Sequence, residues 1–166
     1  MAFKIRKLHI IVAIVIIIIS VYVSYYYRYP ESIGILQTSL DLFTHSMLLS
    51  KQPLLIQDSI AGEAVDVLGK AWFGGNGWTP YYVPTGIWYR NRHKFLTLYA
   101  IKDTEVFIYP PWKKVINGTP QAGEGVVCIK LKQFQLVVLP LHWRVIFEDD
   151  GVACFARHDF VTAMLP

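Results

Sequence analysis

Five aromatic residues, Trp72, Trp78, Tyr81, Tyr82 and Trp88, are concentrated in one stretch of the chain. Rings with an apolar body and a polar edge at that density suit a carbohydrate or small ligand, and suit a core or a protein interface at least as well. Other groups capable of chemistry are dispersed. Gly74-Gly75-Asn76-Gly77 has the glycine content of a phosphate cradle, but no Lys-Ser/Thr follows it and no strand-to-helix fingerprint surrounds it, so it reads as a loop. A Gly-x-Ser-x-Gly elbow is missing. Asp149 and Asp150 precede Gly151, where solvated turn residues are expected; a glycosidase-type pair needs its carboxylates across a cleft. Cys128 and Cys154 lack metal-ligand spacing and read as buried small residues, with a disulfide between them left open.

The elements that would position these groups are mostly strands. From Tyr81 onward the chain is rich in β-branched and aromatic residues punctuated by turn signals, which predicts strands near 86–91, 95–101, 105–109, 126–131, 134–139, 142–148 and 152–158. The clearest hairpin runs from His142 to Arg157 and turns at Asp149-Asp150-Gly151. Short strands at this spacing argue for a sandwich or barrel. Upstream, Leu40, Phe43, Met47 and Leu48 recur at helical spacing between Gln37 and Ser50, with Thr38 or Ser39 as the cap and His45 beside the stripe. Pro53 to Gln57 reads as a short buried strand, and residues 61–72 as a second helix weakened by Gly62 and Gly69.

The first thirty residues have a different composition. Between His9 and Tyr27 the only titratable side chains are His9 and the tyrosines, and Ile10 to Ile19, including Ile14 and Ile17, is unbroken apolar sequence. About 17 to 20 such residues cross a hydrocarbon core of roughly 30 Å. Tyr22, Tyr25, Tyr26 and Tyr27 then fall where an interfacial belt would lie, and Arg28 and Pro30 close the segment. The expectation is a transmembrane signal-anchor within residues 1–29, a linker and amphipathic helix over 30–52, and one domain over 53–166. Lys4, Arg6 and Lys7 ahead of the apolar run place the N-terminus in the cytosol, in a single-pass protein whose partner is the lipid bilayer. Asn117-Gly118-Thr119 is a formal glycosylation acceptor on the far side.

Charge excludes one class of partner. Four of the sixteen basic residues, Lys4, Arg6, Lys7 and Arg28, precede residue 30, and the other twelve are matched by the twelve acidic ones. The downstream domain is neutral overall, so a groove tracking nucleic-acid phosphates is not expected.

Pro53-Leu54-Leu55-Ile56, Lys94-Phe95-Leu96-Thr97-Leu98-Tyr99, Val106-Phe107-Ile108-Tyr109-Pro110-Pro111, and Leu136-Val137-Val138-Leu139-Pro140 with Trp143 resemble, in order, the strand signatures of cupin-like and JmjC-like jelly rolls. The resemblance implies a mainly β single jelly roll, a cupin-like double-stranded β-helix with one or two short helices. Oxygenases of that family hold iron through a His-x-Asp/Glu pair and a distal His, leaving positions for 2-oxoglutarate and oxygen. In register with those landmarks stand Tyr89, Asn91 and Val145, which are not a ligand set. His142 is the fallback ligand; His93 is followed two positions later by Phe95, and His158-Asp159 are adjacent rather than spaced by one. Period-2 alternation puts Trp143, Val145 and Phe147 on an inward face, and His142, Arg144 and Glu148 on the outward one. The expectation is a non-enzymatic protein without a cofactor, similar to the membrane-linked minor capsid components of large DNA viruses, located in a virion inner membrane beside capsid-like neighbours. The alternatives are a membrane-bound iron and 2-oxoglutarate oxygenase, or a carbohydrate or small-ligand binder.

Overall fold

The structure is a computed structural model that describes residues 2–30, 32–62, 78–116, 119–120 and 125–157. In chain order its elements are α1 (Ala2–Tyr27), β1 (Leu36–Thr38), α2 (His45–Leu49), β2 (Leu54–Ile56), β3 (Trp78–Pro80), β4 (Tyr89–Arg90), β5 (Phe95–Ala100), and β6 (Thr104–Tyr109). They continue with β7 (Val115–Ile116), β8 (Thr119–Pro120), β9 (Val127–Leu131), β10 (Leu136–Pro140), β11 (Arg144–Ile146) and β12 (Val152–Arg157). A six-stranded sheet has the order β1-β2-β10-β5-β12-β3, a four-stranded sheet the order β4-β11-β6-β9, and β7 pairs with β8.

Burial patterns show why the sheets differ. β2, β5 and β10 are buried at every position. A strand covered on both faces reads as a continuous apolar run, and Leu136-Val137-Val138-Leu139 is one. One face of the large sheet, through Leu96, Leu98, Val137 and Leu139, meets Val106, Ile108, Ile129 and Val145 of the small sheet in a shared core. Its other face, through Leu54, Ile56, Tyr99 and Val138, is covered by Phe43 and Leu48. β9 of the small sheet instead alternates buried Ile129 and Leu131 with exposed Cys128 and Lys130, as a one-sided strand should.

The expected single jelly roll of cupin type is corrected by this topology: the result is a mixed α/β chain whose two sheets share no ladder and do not close into a barrel. The local cause lies at the seam between edge strands β3 and β4. β3 ends on Pro80, which has no N–H to donate, and β4 is only two residues long, so neither edge can extend a ladder across the gap. The hairpin expected from His142 to Arg157 is also corrected. β11 lies in the small sheet and β12 in the large one, so the turn at Asp149-Asp150-Gly151 carries the chain between layers. The helix expected over Gln37 to Ser50 shrinks to α2, because Leu36–Thr38 pairs in parallel with β2 and the Leu40 N–H is taken by Asp58 Oδ2 at 2.5 Å. Tertiary pairing outweighs helical spacing there. Most of the helix expected over 61–72, together with Trp72, Asn117, His158 and Asp159, falls outside the described residues.

The N-terminal expectation is corrected as well. α1 is helical, and Ile10, Ile14, Ile17 and Tyr22 are exposed on it. Among the described residues, however, no helix is long and apolar enough to cross a membrane. Tyr25, Tyr26 and Tyr27, expected as part of an interfacial belt, form the last turn of α1. The single-pass anchor, the bilayer partner, the virion-membrane location and the membrane-linked capsid role built on them are therefore not supported.

After α1, Tyr29 docks against the base of the sandwich. Its ring lies 5.7 Å from Trp112, which meets Trp143 edge-on at 5.5 Å, and the Trp143 indole donates to the Lys51 carbonyl at 3.1 Å.

Candidate functional site

Asn91 is the residue from which one end of the sandwich is built. It is fully buried, and its side-chain N–H₂ donates to the carbonyls of Leu139 (3.1 Å) and Pro140 (2.9 Å), while Oδ1 accepts the His93 N–H at 2.9 Å. Its backbone N–H donates to Trp143 O and its carbonyl accepts from His142 N–H, both at 2.8 Å. One amide thus fastens the chain after β4 to the β10–β11 turn, satisfying polar groups that would be costly to bury alone.

His142 sits in that turn at φ 69°, a left-handed conformation uncommon for a residue with a Cβ. Although period-2 alternation turns it outward, it is 4% exposed. Tyr29 approaches its ring edge-on at 6.5 Å, and the Arg90 guanidinium hydrogen-bonds its Nδ1. Burial, then Arg90 and Arg144, lower the imidazole pKa to about 4. His142 is therefore a neutral acceptor that orients Arg90 without cancelling its charge.

Val145 and Tyr89 stand directly opposite each other on the β4–β11 ladder. Val145 is fully buried among apolar neighbours. The Tyr89 hydroxyl donates to the Tyr81 hydroxyl at 3.1 Å, and His93 Nε2 lies 3.1 Å from the same oxygen. This bond bridges the open seam, since Tyr81 follows β3 of one sheet and Tyr89 opens β4 of the other. Desolvation first, then the Tyr81 hydrogen bond, raise the Tyr89 pKa well above the ordinary phenol value. Tyr89, Asn91 and Val145 thus act as seam bridge, clamp and core, and among the described residues no three His, Cys, Asp or Glu side chains gather as a metal site.

The same ladder places Arg144 opposite Arg90. Directly opposed residues of an antiparallel pair project from one face with Cβ atoms about 4.5–5.5 Å apart, and like charges there destabilise the pair. Arg144 is half-buried; burial and then Arg90 lower its pKa from the ordinary guanidinium value, with Tyr109 opposing. Arg90, Arg92 and Arg144, with Tyr81, Trp88 and Tyr89, line a recess of about 430 Å³ at the seam. Trp88 forms one wall, fixed edge-on against Tyr109 at 6.3 Å. The ion pairs among the described residues are Lys102 with Asp149 and Asp150, and Lys130 with Glu105; none involves these three arginines.

A larger recess, about 620 Å³, lies at the opposite end between Asp103, Glu105, Lys130, Lys132, Glu148 and Asp149. Four carboxylates and two lysines line it, and its charges are met from the protein: Lys130 pairs with Glu105, Lys102 with Asp149, and Asp103 accepts the Gln133 N–H.

Of the aromatic residues singled out in the sequence, Tyr81 and Trp88 line the seam recess. Trp78 packs against the outer core of the large sheet, and Tyr82 is 78% exposed. The arginines escaped sequence reasoning. Arg90 and Arg92 at alternate positions beside Trp88 were the available signal, whereas Arg144 joins them only through strand pairing. Cys128 is exposed on β9 and Cys154 buried on β12, both free, with burial raising the Cys154 thiol to about 12.

No protein-family model, no curated protein and no solved structure matches the chain. The resemblance to cupin-like and JmjC-like domains, and the capsid analogy that accompanied it, is without support from these comparisons.

Proposed function

We propose that this chain is a binding module for a small anionic molecule, held at the open seam between its two sheets, and that it is not an enzyme. The observation that carries the reading is the arginine trio. Three arginines line one recess, two of them in direct cross-strand opposition, and no carboxylate lines it among the described residues. An arrangement that costs stability in the unliganded chain is retained where an anion offsets it. The recess volume lies within the usual range for small-molecule sites, and its aromatic walls supply contact area.

Binding rather than catalysis is favoured by the lining itself. Among the described residues the lining holds no imidazole, thiol or carboxylate; His93, the nearest imidazole, is buried behind the Tyr89 hydroxyl, and Tyr89 stays protonated. Its members are charge-fixed donors and rings.

Thermal melts of the full chain at constant ionic strength test this. Pyrophosphate or citrate should raise Tm above its value in chloride, through preferential binding to the folded state. The rise should be absent in Arg144→Gln. Equal Tm in all three salts for the wild-type chain would overturn the reading.

A further inference from the structure

We infer that the ligand of the seam recess carries a phosphate monoester on a flat ring, with the phosphate seated on the Arg90–Arg144 pair and the ring against Trp88. The inference rests on the anion-binding reading above and assigns the chemistry of the anion.

Charge number comes first. Arg90 and Arg144 are opposed on the ladder, and Arg92, two residues beyond the end of β4, lines the same recess. A monoanionic carboxylate would leave two of the three cations uncompensated. A phosphate monoester is close to dianionic at neutral pH and has three acceptor oxygens, enough for two forked guanidinium contacts and a third donor. Geometry comes second. A guanidinium serves as a planar fork only if its plane is held, and Arg90 is held by the Nδ1 of His142, which is in turn fixed by its own N–H on Asn91 O. The restraint comes from a neutral ring rather than a carboxylate, so the full charge of Arg90 remains for the ligand. The third point is the wall. Trp88 is half-buried and braced edge-on by Tyr109, which leaves a fixed indole at the rim where a flat ring attached to the phosphate can stack.

Isothermal titration of the full chain near neutral pH, with phenyl phosphate, inorganic phosphate and benzoate at matched ionic strength, separates these requirements. Phenyl phosphate should bind tightest. Benzoate, lacking the second charge, and inorganic phosphate, lacking the ring, should each be weaker by roughly tenfold. Arg144→Gln should weaken phenyl phosphate about tenfold to a hundredfold, and the exposed Arg92→Gln, which keeps the ladder untouched, should weaken it about tenfold. Lys130→Gln at the far end should leave it unchanged. Benzoate binding as tightly as phenyl phosphate overturns the monoester while leaving the anion reading intact. Inorganic phosphate matching phenyl phosphate overturns the ring. Binding of phenyl phosphate that survives both arginine substitutions overturns the placement, and no binding of any of the three by the wild-type chain removes both the inference and the reading beneath it.

Discussion

The two ends of the sandwich carry opposite charge and treat it differently. At one end the β5–β6 and β11–β12 connections bring together Asp103, Asp149 and Asp150, and their partners are local. Asp149 Oδ1 accepts from the Gly151 N–H (2.9 Å) and the Thr104 hydroxyl (3.1 Å), Lys102 pairs with Asp149 and Asp150, and Asp103 accepts from the Gln133 N–H at 2.7 Å. At the other end Arg90, Arg92 and Arg144 converge, and among the described residues the side-chain partner of their guanidinium groups is one neutral imidazole, His142 on Arg90. The acidic end uses charge to shape two layer-crossing turns. The arginine end uses neutral amides and rings for shape and keeps its charge in reserve. Clustered charge therefore indicates a ligand only where the fold leaves it unmatched.

The strongest way to break this contrast is to remove the neutral scaffold at the arginine end. Asn91→Ala strips partners from two buried carbonyls and one N–H, and should lower stability by about 4 kcal/mol in urea unfolding. A loss under about 1 kcal/mol would show that the turn is held by something else.

Next in size is the response to acid. The folded value of His142, about 4, lies below the ordinary 6.5, so between those values the unfolded chain binds the additional proton. The contribution of neutral His142 is complete above about pH 6.5, declines as pH falls toward 4 and levels off below it. It amounts to about 3 kcal/mol at most. The difference between the pH–stability curves of the wild type and His142→Gln should trace that window.

At the acidic end, Asp149→Ala should cost about 1 kcal/mol, the worth of its hydrogen bonds to Gly151 and Thr104 at an exposed turn. Those bonds, Gly151 first, hold the Asp149 carboxyl below its usual range. Its contribution is therefore present above the ordinary carboxylate value and lost as pH falls through the lower folded one.

The smallest effect has the opposite sign. Arg144→Gln relieves the cross-strand repulsion and should raise the stability of the unliganded chain by about 0.5 kcal/mol, whereas Lys102→Gln should lower it slightly and only at low salt. If both substitutions lower stability, the two ends are alike and the contrast between them fails.

Much of the framework was legible along the chain. The runs at Phe95–Ala100 and Leu136–Pro140 marked strands, and the burial of Trp143, Val145 and Phe147 follows from alternation. The helix over 37–50 and the hairpin at 142–157 misled because local spacing competes with long-range pairing, and nothing in either segment records what it pairs with. His142 misled for a related reason: a left-handed turn residue leaves the period-2 pattern, and its burial comes from Tyr29 and Arg90, which are far away in sequence.

What the sequence by itself determined is therefore the set of strands and the apolar faces that glue them, because side-chain alternation and hydrophobic burial are properties of neighbouring residues. What only the tertiary structure decided is that two sheets face each other without closing and that Arg144 arrives opposite Arg90 at the open seam. A strand's period tells which of its own residues share a face, but not which strand lies beside it. That depends on ladder hydrogen bonds and on core packing over the whole chain.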